Sequence, residues 1–394
     1  MAGNRLESAP VQNKRVLMSI DCESILAPDG ELIHDVSLRQ AQESIELLVD
    51  RRATVLLVSS AASGGRALDL SRAAKRLSDL LKQPVDYITD PLGNGRANLE
   101  SRAGGSICLL ENLMSVGGES ESKAEKAFAN ELAALADLYV NDAPGNLHLQ
   151  RSSLIHLPGL LPGYMGLEFH KFLEHINSLD QLDSRPLVLL LGGNQVERQN
   201  RIIRRFLERV QVILLGGATA YTFMKGRALP IGASLVDRQA EVSSFQTIER
   251  AELSEAETVF PLDHLAADQF SRKAKPRAFA RAAIPDGWFG MDIGPKTVAQ
   301  YDKILKQAQT VLWYGPMGAI EFDQARKGSE GLAKSLAKHK GRSVVMGQDT
   351  VRIVHESGNS NKVSLNACSS AAALAILLKE ATPALDALRK ADQA

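Results

Sequence analysis

The chain has 394 residues, 44% hydrophobic and 23% charged, with forty-six basic residues against forty-six acidic ones. That length exceeds what one hydrophobic core organises and predicts two domains. The balanced charge excludes a basic face for nucleic acid or an anionic membrane. Three widely spaced cysteines, Cys22, Cys108 and Cys368, argue against a disulfide framework and for a reducing compartment. The stretch Met1 to Gln12 is polar, so no signal peptide is expected there, and no apolar run approaches membrane-spanning length. The expected location is the cytoplasm.

In chain order, Arg15 to Ile20 predicts a buried strand, and Leu38, Ala41, Ile45 and Leu48 recur at helical spacing. Ala53 to Val58 predicts a second strand, opening into the small-residue loop from Ser59 to Gly65. A helix around Ala73 to Leu81, a strand at Ser106 to Leu110, a helix at Ala124 to Ala136 and a strand at Leu138 to Asn141 follow. Strand alternating with helix predicts a doubly wound parallel sheet. Gly163 to Ile176 reads as a linker helix extending to about residue 178, and Asp183-Ser184-Arg185-Pro186 as the break after it. The expected domains are therefore 1–182 and 183–369. The tail 370–394, apolar and rich in Ala over Ser370 to Lys379, is expected to pack back on the first.

The second half is organised by the stretch from Pro186 to Met224. Leu187 to Leu191 is a short unbroken apolar run ending on Gly192-Gly193, as a strand buried on both faces would. Ile202, Ile203, Phe206, Leu207 and Val210 form one apolar helix stripe, and Val210 to Leu215 ends on a second glycine pair, Gly216-Gly217. Further strands are expected near 256–260, 310–313 and 343–347. Open parallel sheets bind ligands at the carboxyl ends of such strands.

Several stretches coincide with one family. Ile284-Pro285-Asp286-Gly287-Trp288 with Met291-Asp292-Ile293-Gly294-Pro295-Lys296-Thr297, and Trp313-Tyr314-Gly315-Pro316-Met317-Gly318 leading to Glu321, resemble phosphoglycerate kinase signatures. Leu109 to Leu113, Val140 to Ala143, Ala220 to Phe223, Ile231 to Leu235 and Pro261 to Asp263 fall in that family's order and spacing, over roughly residues 14 to 380. The resemblance implies two Rossmann-like domains facing a cleft. It implies 3-phosphoglycerate on the N-terminal domain, Mg-nucleotide on the C-terminal one, and phosphoryl transfer between 1,3-bisphosphoglycerate and ADP. Such chemistry depends on positioning and on positive charge around the transferred group.

The departures fall on the cationic positions. Where the family has Arg-Val-Asp-Phe-Asn, this chain has Ser19-Ile20-Asp21-Cys22-Glu23, and the family's next-helix arginine is Ser37, two residues before Arg39. The Ser-His-Leu-Gly-Arg-Pro loop loses its His and Arg to Ser60 and Ser63, with Arg66 just beyond. Met114 stands for the arginine after Glu-Asn-Leu, and His148-Leu149-Gln150-Arg151 stands for His-Arg-Ala-His, so that arginine is Leu149. The clamp Gly-Gly-Ala-Lys-Val-x-x-Lys has Gln195 and Gln199 at both lysines. Tyr314 replaces an asparagine, and the glycine triplets before Asp349 and near Cys368-Ser369-Ser370 are broken.

What the resemblance leaves as substrate-side candidates are Asp21, Glu23, Arg39, Arg66, His148 and Arg151. The nucleotide-side candidates are Gly192, Gly193, Gly216, Gly217, Glu321, Gly347, Asp349 and Thr350, with Asp349 toward Mg²⁺ held through the nucleotide. The expectation is a phosphoglycerate-kinase-like protein that keeps the fold, has lost efficient transfer, and has a binding or regulatory role. Mg-ATP or Mg-ADP binding is expected to be weak or absent, and the chain a monomer meeting a nucleotide, a phosphorylated metabolite or a protein partner. Two alternatives stand beside this one. The first is a working, slow phosphoglycerate kinase in which Arg39, Arg66 or Arg151 compensates. The second is a phosphometabolite binder or kinase with a changed acceptor, suggested by Glu23 and the serine-rich loop.

Overall fold

The computed structural model describes residues 4–119, 126–179, 185–280 and 284–391. It divides into two compact units, one of residues 1–174 with 371–394 and one of residues 175–370. The division falls inside the helix Leu167–Ser178 rather than at 182/183. Residues 183 and 184 of the expected break lie outside the described residues, as do residues 124 and 125 at the start of the expected helix 124–136.

In the first unit a six-stranded parallel sheet runs, edge to edge, Val85–Ile88, Ile107–Leu110, Thr54–Val58, Arg15–Ser19, Leu138–Asn141, Gly163–Met165. Thr54–Val58, Ile107–Leu110 and Leu138–Asn141 are buried throughout, which is why they read as unbroken apolar runs. The helix Val36–Asp50 turns Leu38, Ala41, Ile45 and Leu48 onto this core. The expected helix from Gly163 is corrected at its start. Gly163–Met165 is instead a three-residue strand beside Leu138–Asn141, and the helix begins at Leu167. Three residues are too few to show a period. The helix Pro383–Ala391 lies against Ser152–Ile155, Leu157–Leu160 and this edge strand.

The second unit has a six-stranded parallel sheet in the order Glu257–Val259, Val210–Leu215, Leu187–Leu191, Thr310–Tyr314, Arg342–Met346, Leu365–Ala367. It also carries a three-stranded antiparallel sheet of Arg277–Ala280, Asp263–Ala267 and Phe289–Ile293. That sheet is absent from the sequence reading because Arg277–Ala280 is largely exposed and no apolar run announces it. The resemblance motifs fold this region. Asp263 accepts from Lys296 N at 3.1 Å, Thr297 N at 2.8 Å and Thr297 Oγ1 at 2.7 Å, capping the helix Pro295–Leu305. Buried Asp292 takes the amides of Ile293 and Gly328 at 2.9 and 2.7 Å, and burial pushes its carboxyl up to about 8.

Both parallel sheets have a switch point, where the connections leaving two neighbouring strands run in opposite directions. In the first unit it lies between Arg15–Ser19 and Leu138–Asn141, in the second between Leu187–Leu191 and Thr310–Tyr314. The loops leaving those strands carry half of the candidate residues.

Candidate functional site

At the first switch point, Asp21 follows the strand Arg15–Ser19 and accepts the amides of Glu23 and Ser24 on Oδ1 at 3.0 and 3.2 Å. Burial pushes its carboxyl up, opposed by those bonds and by the charge of Arg151. Ser37, at the start of the helix Val36–Asp50, is buried and donates its hydroxyl to the Asp21 carbonyl at 2.6 Å. Ser60 is buried and donates to Glu119 Oε1 at 2.7 Å; Glu119 also accepts from Ser153 N at 3.0 Å and Ser153 Oγ at 2.5 Å. Asn112 holds the serine loop by accepting from Ala61 N at 3.2 Å and donating to the carbonyls of Ala61 and Leu68 at 2.6 and 2.8 Å. It also accepts from Met114 N at 3.1 Å, capping the short helix Leu113–Val116.

The candidate cations part company here. Arg151 is buried; it donates from one terminal nitrogen to the Ser60 carbonyl at 2.5 Å and from the other to Glu23 at 3.3 Å. Arg39 turns back along its own helix to Asp35, which also binds Arg76. Burial disfavours the Asp35 carboxylate, but the two guanidiniums outweigh it and its pKa is lowered. Ser63 and Arg66 face each other across the two-stranded hairpin Ala62–Ser63/Arg66–Ala67, where Arg66 is exposed and its side chain makes no hydrogen bond or ion pair among the described residues. His148 and Leu149 are half-buried in the segment leading to Arg151. Of the three arginines suggested as compensating, the structure brings one, Arg151, to Asp21 and Glu23.

At the second switch point the glycines are explained by chain packing. A Cβ on Gly192 would come within 2.3 Å of the Pro316 carbonyl, and Gly193 N donates to that carbonyl at 2.7 Å. Gly216 meets Met317, and Gly217 N donates to the Met317 carbonyl at 2.8 Å. Gly347, at φ +90°, starts the helix Gln348–Glu356 in a conformation that favours glycine. Thr350, buried, accepts from Gly315 N at 2.9 Å. Asp349 is 65% exposed and pairs with Arg352 at 3.7 Å, and Glu321 is exposed. Among the described residues no group of three or more His, Cys, Asp or Glu could hold a metal ion. One exposed carboxylate suits a magnesium ion that arrives on nucleotide phosphates rather than a protein-held one.

The glutamines diverge. Gln199 is buried and donates to the Gly192 carbonyl, facing into the fold. Gln195 remains exposed and accepts from Tyr314 OH at 2.9 Å. Beside them stands a residue that the sequence reading overlooked. Arg198 sends one nitrogen to Tyr314 OH at 3.4 Å and Ser370 Oγ at 3.3 Å, and has no carboxylate partner among the described residues. The overlooked signal was its spacing: Arg198 lies one residue from a lost lysine, and three from Gln195 on the same helix face.

The family profile described as phosphoglycerate kinase matches residues 6–379. The phosphoglycerate kinase of Leptospira biflexa is 35% identical over 388 residues, 97% of each chain, and that of Thermosynechococcus vestitus 34% over 392 residues, 98% of each. Among solved structures, phosphoglycerate kinase from Pyrococcus horikoshii OT3 matches with a TM-score of 0.87 at 24% identity over 99% of both chains. That from Coxiella burnetii matches at 0.79 and 25% identity over 98% of this chain and 99% of that one. With two α/β units built on parallel sheets, a profile match over nearly its whole length and relatives above 30% identity, the chain belongs to the phosphoglycerate kinase family.

Proposed function

We propose that this chain keeps the phosphoglycerate kinase scaffold, has lost efficient phosphoryl transfer between 1,3-bisphosphoglycerate and ADP, and serves in binding or regulation. What supports the reading is how the positions of the missing cations are filled. Ser37, Ser60, Gln195 and Gln199 each have a side-chain polar atom engaged by the fold itself, and Ser63, Met114 and Leu149 bring no charge. Removing one preorganised donor typically costs about a hundred- to a thousandfold in rate. Such losses do not add within one site, but a site lacking most of them cannot offset the charge developing on a transferred phosphoryl group. Nucleotide binding is retained weakly, with Arg198 as the cation and the amides at the start of the helix Gln348–Glu356 as phosphate donors. Magnesium would enter with the nucleotide, and Asp349 is the carboxylate placed to meet it. A coupled assay with 3-phosphoglycerate and Mg-ATP tests the reading. Turnover at least about a thousandfold below that of the Leptospira biflexa relative is expected, and comparable turnover overturns it.

The second reading is a working phosphoglycerate kinase. The relatives matched over nearly the whole chain carry that name, and this weighs toward activity where the side chains weigh against it. Arg151 and Arg198, one in each unit, would then carry the positive charge. Replacing either with glutamine would abolish the measured turnover; turnover that survives both replacements removes the two arginines' role, and no turnover in the unsubstituted chain removes this reading.

A further inference from the structure

The first unit contains a buried cation and supplies its own anion. The side chain of Arg151 is 5% exposed, whereas its carboxylate partner Glu23 is 41% exposed. The two come from opposite sides of the switch point, Glu23 from the loop after Arg15–Ser19 and Arg151 from the segment after Leu138–Asn141. One terminal nitrogen of Arg151 is anchored on the Ser60 carbonyl at 2.5 Å, which leaves the other to meet Glu23 Oε2 at 3.3 Å. A desolvated guanidinium requires a counter-charge close by. Asp21 also faces Arg151, but its Oδ1 is occupied by the amides of Glu23 and Ser24, and burial disfavours its ionised form. The half-exposed Glu23 carboxylate therefore does what an oxyanion from solvent would otherwise do.

We propose that Glu23 is a built-in plug: its carboxylate occupies the place of a small oxyanion on Arg151. That place is then open to inorganic phosphate or a phosphate monoester only when Glu23 is neutralised or swung outward. Two features of the geometry make the plug removable. The Glu23 side chain reaches solvent, and the hydrogen bond it accepts from Arg151 is long, at 3.3 Å. This deepens the reading above by naming a cause of poor anion binding in the first unit, and its test reads binding, not turnover, so each can fail without the other.

The test titrates inorganic phosphate against chloride, at constant ionic strength, into the full-length chain and its Glu23→Gln, Arg151→Gln and doubly substituted variants. Calorimetry and thermal melts are the readouts. Glu23→Gln is expected to bind phosphate about tenfold or more tightly than the unsubstituted protein, since a like charge no longer faces the ligand. Its melting temperature should be lower in chloride and rise by on the order of 5 °C at a hundredfold excess of phosphate over Kd. The double variant should lose both gains. Equal phosphate affinity in Glu23→Gln and the unsubstituted protein overturns the proposal, as does a gain that persists when Arg151 is also replaced. Should Glu23→Gln fail to fold in chloride, recovery on refolding in phosphate supports the plug, and equal failure in both overturns it.

Discussion

The two units meet the loss of positive charge in opposite ways. In the first, the replacements are absorbed: Ser37 and Ser60 give their hydroxyls to a carbonyl and a buried carboxylate, and Arg151 is locked between Ser60 and Glu23. In the second, Gln199 turns inward, while the Arg198 hydrogen bonds among the described residues go to neutral hydroxyls. One guanidinium is part of the scaffold; the other has no carboxylate partner among the described residues. A cation count over the whole sequence would treat them alike. Burial and the charge of the partner separate them.

The largest expected effect tests the scaffold role. Arg151→Gln should destabilise the first unit by about 3 kcal/mol, because hydrogen bonds to a charged group are lost and the Ser60 carbonyl is left buried without its donor. Chemical denaturation checks this, and a change below about 0.5 kcal/mol, typical of surface positions, would erase the contrast between the arginines.

A second prediction concerns the carboxyls buried in the first unit, where Asp142 directly follows the switch-point strand Leu138–Asn141. Burial, with Asp142 beside it, pushes the Glu168 carboxyl up to about 8, and burial raises Asp142 to about 6. The folded state therefore binds more protons than the unfolded chain from about pH 4.5 upward, so stability falls as pH rises through that window and levels off above pH 8. The loss should be on the order of 5 kcal/mol between pH 5 and pH 9, and Glu168→Gln should remove most of it. A pH-independent midpoint of denaturation would contradict the burial of these carboxyls.

Arg198→Gln should leave stability within about 0.5 kcal/mol of the original and weaken ADP binding about tenfold, the effect of one charge-assisted phosphate contact. Unchanged ADP affinity would make Arg198 a bystander and the two units alike. The smallest effect is expected from Tyr314→Phe, which removes the hydroxyl that Gln195 and Arg198 share. It should cost about 1 kcal/mol or less and loosen ADP binding by less than Arg198→Gln does. A larger loss than that variant's would make the tyrosine, not the arginine, the main contact.

Much of the fold was legible because strands buried on both faces must be apolar throughout. Thr54–Val58 and Leu187–Leu191 announced themselves, and Leu187–Leu191 and Val210–Leu215 end on glycines where backbones pack too closely for a side chain. Elements held by pairing rather than by apolar content stayed hidden. Gly163–Met165 exists because Leu138–Asn141 lies beside it, and Arg277–Ala280 because Asp263–Ala267 does. In the candidate sites, the residue types at each family position were readable, and so was the deficit of charge at them. The fate of each neighbouring arginine was not: Arg39, Arg66 and Arg151 were equal candidates in the chain, yet one bonds Asp35, one lies exposed on a hairpin and one is buried against Glu23.

The order of residues alone determined the family, the alternation of strand and helix, and the absence of lysine or arginine at the matched site positions, because these depend on residue identity and spacing. Tertiary structure decided which remaining cation is spent and which is open. That depends on direction: a guanidinium reaches its partner along one set of side-chain torsions, and whether a carboxylate or only a hydroxyl waits there is set by strands more than a hundred residues apart in the chain.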